Sequence, residues 1–275
     1  MEYQRFKAEL RKISWLSSEF ALLWFCSNYF YNLGLASTSV STSTVLSDTS
    51  GIFVYLIGLC LLKGVRFHPI KALMVLSSFA GIVVVTLADR DGSGSGPKDT
   101  FKGNLFSLLS ATFYGLYAVV LKKRVPADEE ADFKFSYFLG FVGLFNTVCL
   151  LPLFPLLDLT GVEPFEWPNS SALAELTLNA ILGTVISDYC WAKSVVLLGP
   201  LLTTLGIALT IPISMVVDAF GGEKHFTWEH FLGSALILGS FVLEAWLDYR
   251  NKRRQRQADH QRQEAPPQEE ADKDS

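Results

Sequence analysis

The sequence predicts an all-α, polytopic membrane helix bundle with about eight transmembrane helices, and three observations predict it. Half of the 275 residues are hydrophobic while only 18% are charged. The charged residues crowd into the two ends and a few short connections. The apolar residues between them form runs long enough to cross a hydrocarbon core of about 30 Å at about 1.5 Å per helical residue. A closed barrel also satisfies backbone polar groups in lipid, but it needs alternating strands of about ten residues. These runs are continuous and end at Gly and Pro.

In chain order the spans are expected at 14–36, 39–62, 69–89, 103–121, 135–157, 175–198, 200–220 and 228–249. The first follows a basic segment with Arg5, Lys7, Arg11 and Lys12 and is too long for a cleavable signal, so it reads as a retained anchor. The second carries Ser39, Ser43, Ser47 and Ser50 at helical spacing, with Thr44 and Asp48 on the adjoining face. The fourth places Gly103, Ser107, Ala111 and Gly115 at four-residue intervals, a seam of small side chains that lets helix backbones approach; its neighbour, in the same bundle or a second copy, is left open. Gly199-Pro200 divides the sixth span from the seventh.

With eight crossings, nineteen of the twenty-three Lys and Arg residues fall on the side of the two termini, against Arg90, Lys98, Lys102 and Lys224 opposite. Both termini are therefore expected in the cytoplasm. Cys26, Cys60, Cys149 and Cys190 each stand alone in an apolar run, so neither a disulfide framework nor a metal site is indicated, and no cofactor is expected. His68, His225, His230 and His260 lie in connections or the tail without a nucleophile, which argues against a membrane enzyme. Gly92, Gly94 and Gly96 belong to a linker rather than a phosphate loop, because no strand precedes them. The Asn169-Ser170-Ser171 sequon stands too close to the sixth span for modification to be expected.

The chain also resembles itself. SNYFYN at 27–32 is echoed by SDYCWA at 187–192, an offset of 160 residues, and Thr44 matches Thr204 at the same offset. Each copy then passes through a charged connection to a span ending at Asp89 or Asp248. The first three spans thus match the last three, five spans apart, and an odd offset means that the copies enter the membrane from opposite sides. Inverted repeats of this kind form transporters with a site near the bilayer midplane. The second copy has five spans and the first has three, so two N-terminal spans are expected to be missing from a ten-helix whole. The organisation expected is a cytoplasmic segment (1–13), an incomplete first repeat (14–89), a lumenal linker (90–102), a five-helix second repeat (103–249) and a disordered cytoplasmic tail (250–275).

Ionisable groups near the midplane are functional candidates by default, at a cost of roughly 2.5–3.5 kcal/mol on insertion scales. Asp48 and Asp188 lie there, each readable as a binding group or as a structural hydrogen bond. Asn28, Tyr31 and Asn32 share a side of the first span, and Asp188 and Trp191 take the equivalent place in the sixth. Such amides and rings can bond and stack a solute, or simply pack. Ser43, Thr44, Ser47, Tyr114 and Tyr117 complete the wettable candidates. Lys193 would meet an anionic solute, or else snorkel to the cytoplasmic surface.

TSVSTSTVLSDTSGIF in the second span, KGNLFSLLSATFYGLYAVVLKKR in the fourth, YFLGFVGLFN in the fifth, and the stretch from NAILGTVISDYCW to LGIALTIPISMV together resemble the solute carrier 35 family, F-type branch, of the drug/metabolite transporter superfamily. The resemblance covers nearly all of 28–248 and implies ten helices in two inverted halves, cytoplasmic termini, a central cavity and no enzymatic activity. It implies a secondary transporter of a small polar organic solute, with a nucleotide sugar or related metabolite as one candidate, in the Golgi, endoplasmic reticulum or vacuole. The expected partners are the solute and membrane lipid, with a homodimer left open and no nucleic acid. The alternative is a truncated, non-transporting protein that acts through helix–helix association.

Overall fold

The computed structural model describes residues 2–63, 65–90, 100–125, 133–161, 167–221 and 227–264. The glycine-containing linker at 91–99 and the end of the tail at 265–275 lie outside the described residues. Helices build everything described: α1 (Glu2–Ser37), α2 (Val40–Asp48), α3 (Ser50–Leu61), α4 (Pro69–Arg90), α5 (Phe101–Arg124), α6 (Phe135–Leu150), α7 (Leu153–Leu159), α8 (Ser170–Leu178), α9 (Ser187–Leu198), α10 (Pro200–Ala208), α11 (Thr210–Gly221) and α12 (Trp228–Glu264). A π-helical segment, Asn179–Ile186, joins α8 to α9.

Among the described residues seven stretches are long and apolar enough to cross a membrane: Thr42–Leu61, Pro69–Ala88, Phe101–Arg124, Phe135–Leu159, Ser170–Leu198, Pro200–Phe220 and Trp228–Arg254. They match seven of the eight expected spans. The remaining one, α1, is a 36-residue helix whose Ser27, Asn28 and Asn32 lower its hydropathy. At the other end α12 is helical through Glu264, well into the segment read from the sequence as a disordered tail. The cause is composition, since the Arg, Lys, Gln and Glu that make 250–264 hydrophilic are also good helix formers.

Contacts at one end of the bundle show how the rods alternate. Arg124 at the end of α5 makes a two-pronged ion pair with Glu19 of α1, both bonds at 2.9 Å. Lys134, just before α6, reaches Glu9 of α1. Lys122 donates to the Val196 carbonyl near the end of α9, and Lys252 of α12 lies 3.4 Å from the neighbouring Leu197 carbonyl. The beginning of α1 therefore shares an end with the finish of α9, so the two SxYxxx-bearing helices run oppositely, as an inverted repeat requires.

The repeat offset is built into the helix boundaries as well. Val40 and Pro200 open α2 and α10, while Leu61 and Gly221 close α3 and α11, each pair 160 positions apart. The tight turn before α10 uses Gly199 at φ 96°, a left-handed conformation that a side chain strains, followed by Pro200 in the first turn, where no N–H is needed. The third span of each copy, α4 and α12, packs against the other. At their crossing a Cβ on Gly81 would stand 2.6 Å from the Gly233 carbonyl oxygen, and a Cβ on Gly233 equally close to that of Gly81.

The small-residue seam of α5 faces its own bundle. Gly103 abuts Ser37, Ser107 shares a 3.1 Å hydrogen bond with Ser43, and Gly115 lies under the Phe53–Val54 backbone. An apolar core then gathers Leu16 and Phe20 of α1, Ala118 and Leu121 of α5, Phe138 of α6 and Val195 of α9. Apolar side chains such as Leu144, Val148, Val217 and Leu243 remain more than 40% exposed on the outside, the arrangement expected of a surface that meets lipid.

Candidate functional site

The second and seventh spans are each broken, and their breaks correspond. The second span stops at Thr49 (φ −60°, ψ −9°) and the seventh at Leu209 (φ −65°, ψ −14°), again 160 positions apart. In each the residue at the break donates its N–H three residues back, to Leu46 at 3.3 Å and to Gly206 at 3.2 Å. Pro212 explains the second, because it has no N–H to offer the Ala208 carbonyl. The first follows from competition by a side chain, as the Thr49 hydroxyl donates to the Leu46 carbonyl.

Both breaks open onto one cavity of about 230 Å³. The first copy contributes Ser47, Asp48, Ser50 and Gly51, and the second contributes Thr204, Leu205, Ile207 and Ala208. From α1 come Ser27, Asn28 and Tyr31; α4 adds Ser78 and Phe79; α5 adds Ser110, Tyr114 and Tyr117. Serine hydroxyls tie the walls together where they meet, as in Ser27 donating to the Ser110 carbonyl at 3.0 Å. Asn28 donates its amide N–H to the Trp24 carbonyl one turn back. Ser47 Oγ is buried without a partner. The Asp48 carboxylate makes no hydrogen bond or ion pair with a described side chain.

An aromatic corner fixes one side. The Tyr114 hydroxyl accepts from Trp191 Nε1 at 3.0 Å, and the Tyr114, Tyr117 and Trp191 rings meet edge to face at centroid distances of 5.1–6.1 Å. Thr204 Oγ1 lies 3.5 Å from the same Tyr114 hydroxyl, so α5, α9 and α10 of the second copy converge on it. This corner is rigid, because Tyr117 is also packed against Phe20 of the core at 5.2 Å.

Of the twelve candidates read from the sequence, the cavity wall therefore includes Asn28, Tyr31, Ser47, Asp48, Tyr114 and Tyr117. Trp191 stands directly behind it as the partner of Tyr114. Ser43 is turned into the α5 seam, Asn32 donates to the Asn28 carbonyl on the outer side of α1, and Thr44 lies off the wall. Asp188, in the first turn of α9, and Lys193, one turn further on, are half-buried and line no part of the cavity. Ser78, Ser110 and Thr204 were not among the candidates. Thr204 was marked by its match to Thr44, whereas Ser78 and Ser110 are hydroxyls of a kind that usually only packs helices.

Inverted copies with matched helix breaks beside a central cavity form an architecture found among membrane transporters. Residues 101–245 match the EamA-like transporter family, and the chain belongs to that family. It is 37% identical over 240 residues to a vacuolar membrane protein of Saccharomyces cerevisiae, covering 83% of this chain and 60% of that protein. To solute carrier family 35 member F5 of Bos taurus it is 34% identical over 247 residues, covering 89% of this chain and 46% of the relative. A Schizosaccharomyces pombe transporter is 34% identical over 237 residues, 85% of this chain and 68% of its own length. The chain thus spans roughly half of some of these relatives. A protein of known crystal structure shares the fold at a TM-score of 0.59 and 21% identity, covering 85% of this chain and 77% of that one.

Proposed function

We propose that this chain forms the solute pathway of a secondary transporter, which carries a small polar organic solute across an endomembrane by alternating access and performs no chemistry on it. The observation that carries this reading is the hydroxyl- and aromatic-lined cavity flanked by the repeat-related breaks at Thr49 and Leu209. Two short half-helices that can tilt about such breaks give each copy a way to open one side while the other closes. The vacuolar relative supports an endomembrane setting, and the basic residues collected at one end of the bundle support cytoplasmic termini. A nucleotide sugar fits the cavity poorly, since 230 Å³ is below the usual range of about 300–1,000 Å³ even for drug-sized ligands.

The full chain reconstituted in liposomes should exchange at least one labelled solute from a chemically varied panel, and no exchange of any would sink the transport reading. Asp48→Asn should lower that exchange at least tenfold with insertion intact. Asp188→Asn, outside the cavity wall, should lower it less. A second reading, in which the chain acts through helix–helix association, including as a homodimer, is favoured by the 170–198 span, where side chains such as Leu176, Ile181 and Val185 are at least half exposed.

A further inference from the structure

We infer that the central cavity selects an organic cation, of the quaternary-ammonium or protonated-amine class, with Asp48 as its counter-charge and aromatic rings as its walls. The inference deepens the transport proposal, although binding alone would suffice to test it.

Asp48 is the one charged side chain among the described residues lining the cavity, and no Lys or Arg joins it there. Lys193, the one basic candidate from the sequence, is not part of the wall. No described side chain pairs with the Asp48 carboxylate. A carboxylate held inside a membrane bundle without a counter-ion is costly, and a positively charged solute removes that cost while it is bound. An anion would face the opposite situation, with Asp48 repelling it and no base to compensate. This separates the site from any that must hold phosphates, where Arg or Lys supplies the recognition.

The rest of the wall suits the same ligand class. Tyr31, Phe79, Tyr114 and Tyr117 bring four aromatic rings to a cavity of about 230 Å³. The negative faces of such rings attract cations, and cages of them recognise quaternary ammonium groups. Tyr114 is held in place by the Trp191 Nε1 bond, so its ring is preorganised rather than free to swing. Ser47, next to Asp48 in the wall, has a buried Oγ with no partner of its own.

The test is equilibrium binding to the detergent-purified full chain, using choline, tetraethylammonium and N-methylpyridinium as cations. The neutral isostere of choline, 3,3-dimethyl-1-butanol, and the anion UDP-glucose serve as comparisons. At least one cation should bind, and for choline the neutral isostere should bind at least tenfold more weakly. Asp48→Asn should remove that difference, while Asp48→Glu should keep most of it. If Asp48→Asn does not fold, Phe79→Leu provides a second route and should weaken cation binding severalfold without affecting the weak binding of the isostere. Equal affinity for choline and its isostere, tighter binding of UDP-glucose, or no binding of any cation would overturn the inference. Cation binding without liposome exchange would leave it standing and sink transport. Exchange of an anion without cation binding would do the reverse.

Discussion

The second and seventh spans bend at equivalent positions but arrive there by different chemistry. In the first copy a hydroxyl-rich run, STSTVLSDTSG, lets the Thr49 side chain compete for the Leu46 carbonyl, and the same run places Ser47, Asp48 and Ser50 on the cavity. In the second copy Pro212 removes a backbone donor, and the wall beside the bend is Leu205, Ile207 and Ala208, with Thr204 as its one hydroxyl. The bend is present in both spans, while the polar side chains beside it lie mainly in the second span. The feature the two copies share is therefore the bend, while the side chains beside it differ. In the proposed alternating-access carrier, matched bends would let both faces open while the solute binds in a single way.

The comparison breaks most severely where the two copies are joined. Lys71 of α4 and Glu244 of α12 form a 2.6 Å ion pair with side-chain exposures of 25% and 3%, and Glu244 Oε2 has no other partner. Removing the lysine leaves a buried carboxylate alone. Lys71→Met should therefore destabilise the folded chain by about 3–5 kcal/mol, whereas pairing it with Glu244→Leu should recover most of that loss. Thermal unfolding of the purified single and double variants checks both. A single variant as stable as the unmodified chain would mean that the ion pair does not hold the copies together.

The next largest effect belongs to the glycine crossing a few turns away. Gly81→Val places a Cβ 2.6 Å from the Gly233 backbone oxygen, and backbone cannot move aside as a side chain can. The cost should be about 1–3 kcal/mol, with α4 and α12 pushed apart. A cysteine pair introduced across the crossing should then cross-link more slowly in the Gly81→Val background. Unchanged stability and cross-linking would show that the copies are not in close contact there.

Much of this arrangement is legible in the sequence, and what is not has identifiable causes. The spans can be read because lipid demands long apolar runs, and the 160-residue echo at Ser27 and Ser187 marks both copies. The cavity is half legible. Ser43 and Ser47 sit one turn apart on the same helical face, yet Ser43 meets Ser107 of α5 and Ser47 meets the cavity, because a neighbouring helix covers only part of the stripe. A polar stripe gives the face of a helix without the depth at which its neighbour ends. Lys193 shows the converse: a charge inside an apolar run attracts notice, but its place on α9 lies beyond the cavity. The helical 250–264 segment was hidden because hydrophilic composition serves an exposed helix and a solvated tail equally well.

The hinges themselves provide the finest test of the comparison. Pro212→Ala restores an N–H that can bond the Ala208 carbonyl and should straighten α10 into α11. The gain should be about 1 kcal/mol, seen as a higher unfolding temperature, with solute exchange reduced severalfold because the second copy has lost its bend. Thr49→Val removes the competing hydroxyl in the first copy while leaving the surrounding Ser-rich run, and its effects should be smaller in the same two directions. If both bends are hinges, each variant becomes more stable and less active. Higher stability with unaltered exchange in Pro212→Ala would leave the second bend as a packing feature, and the burden of movement would then fall on Thr49 alone.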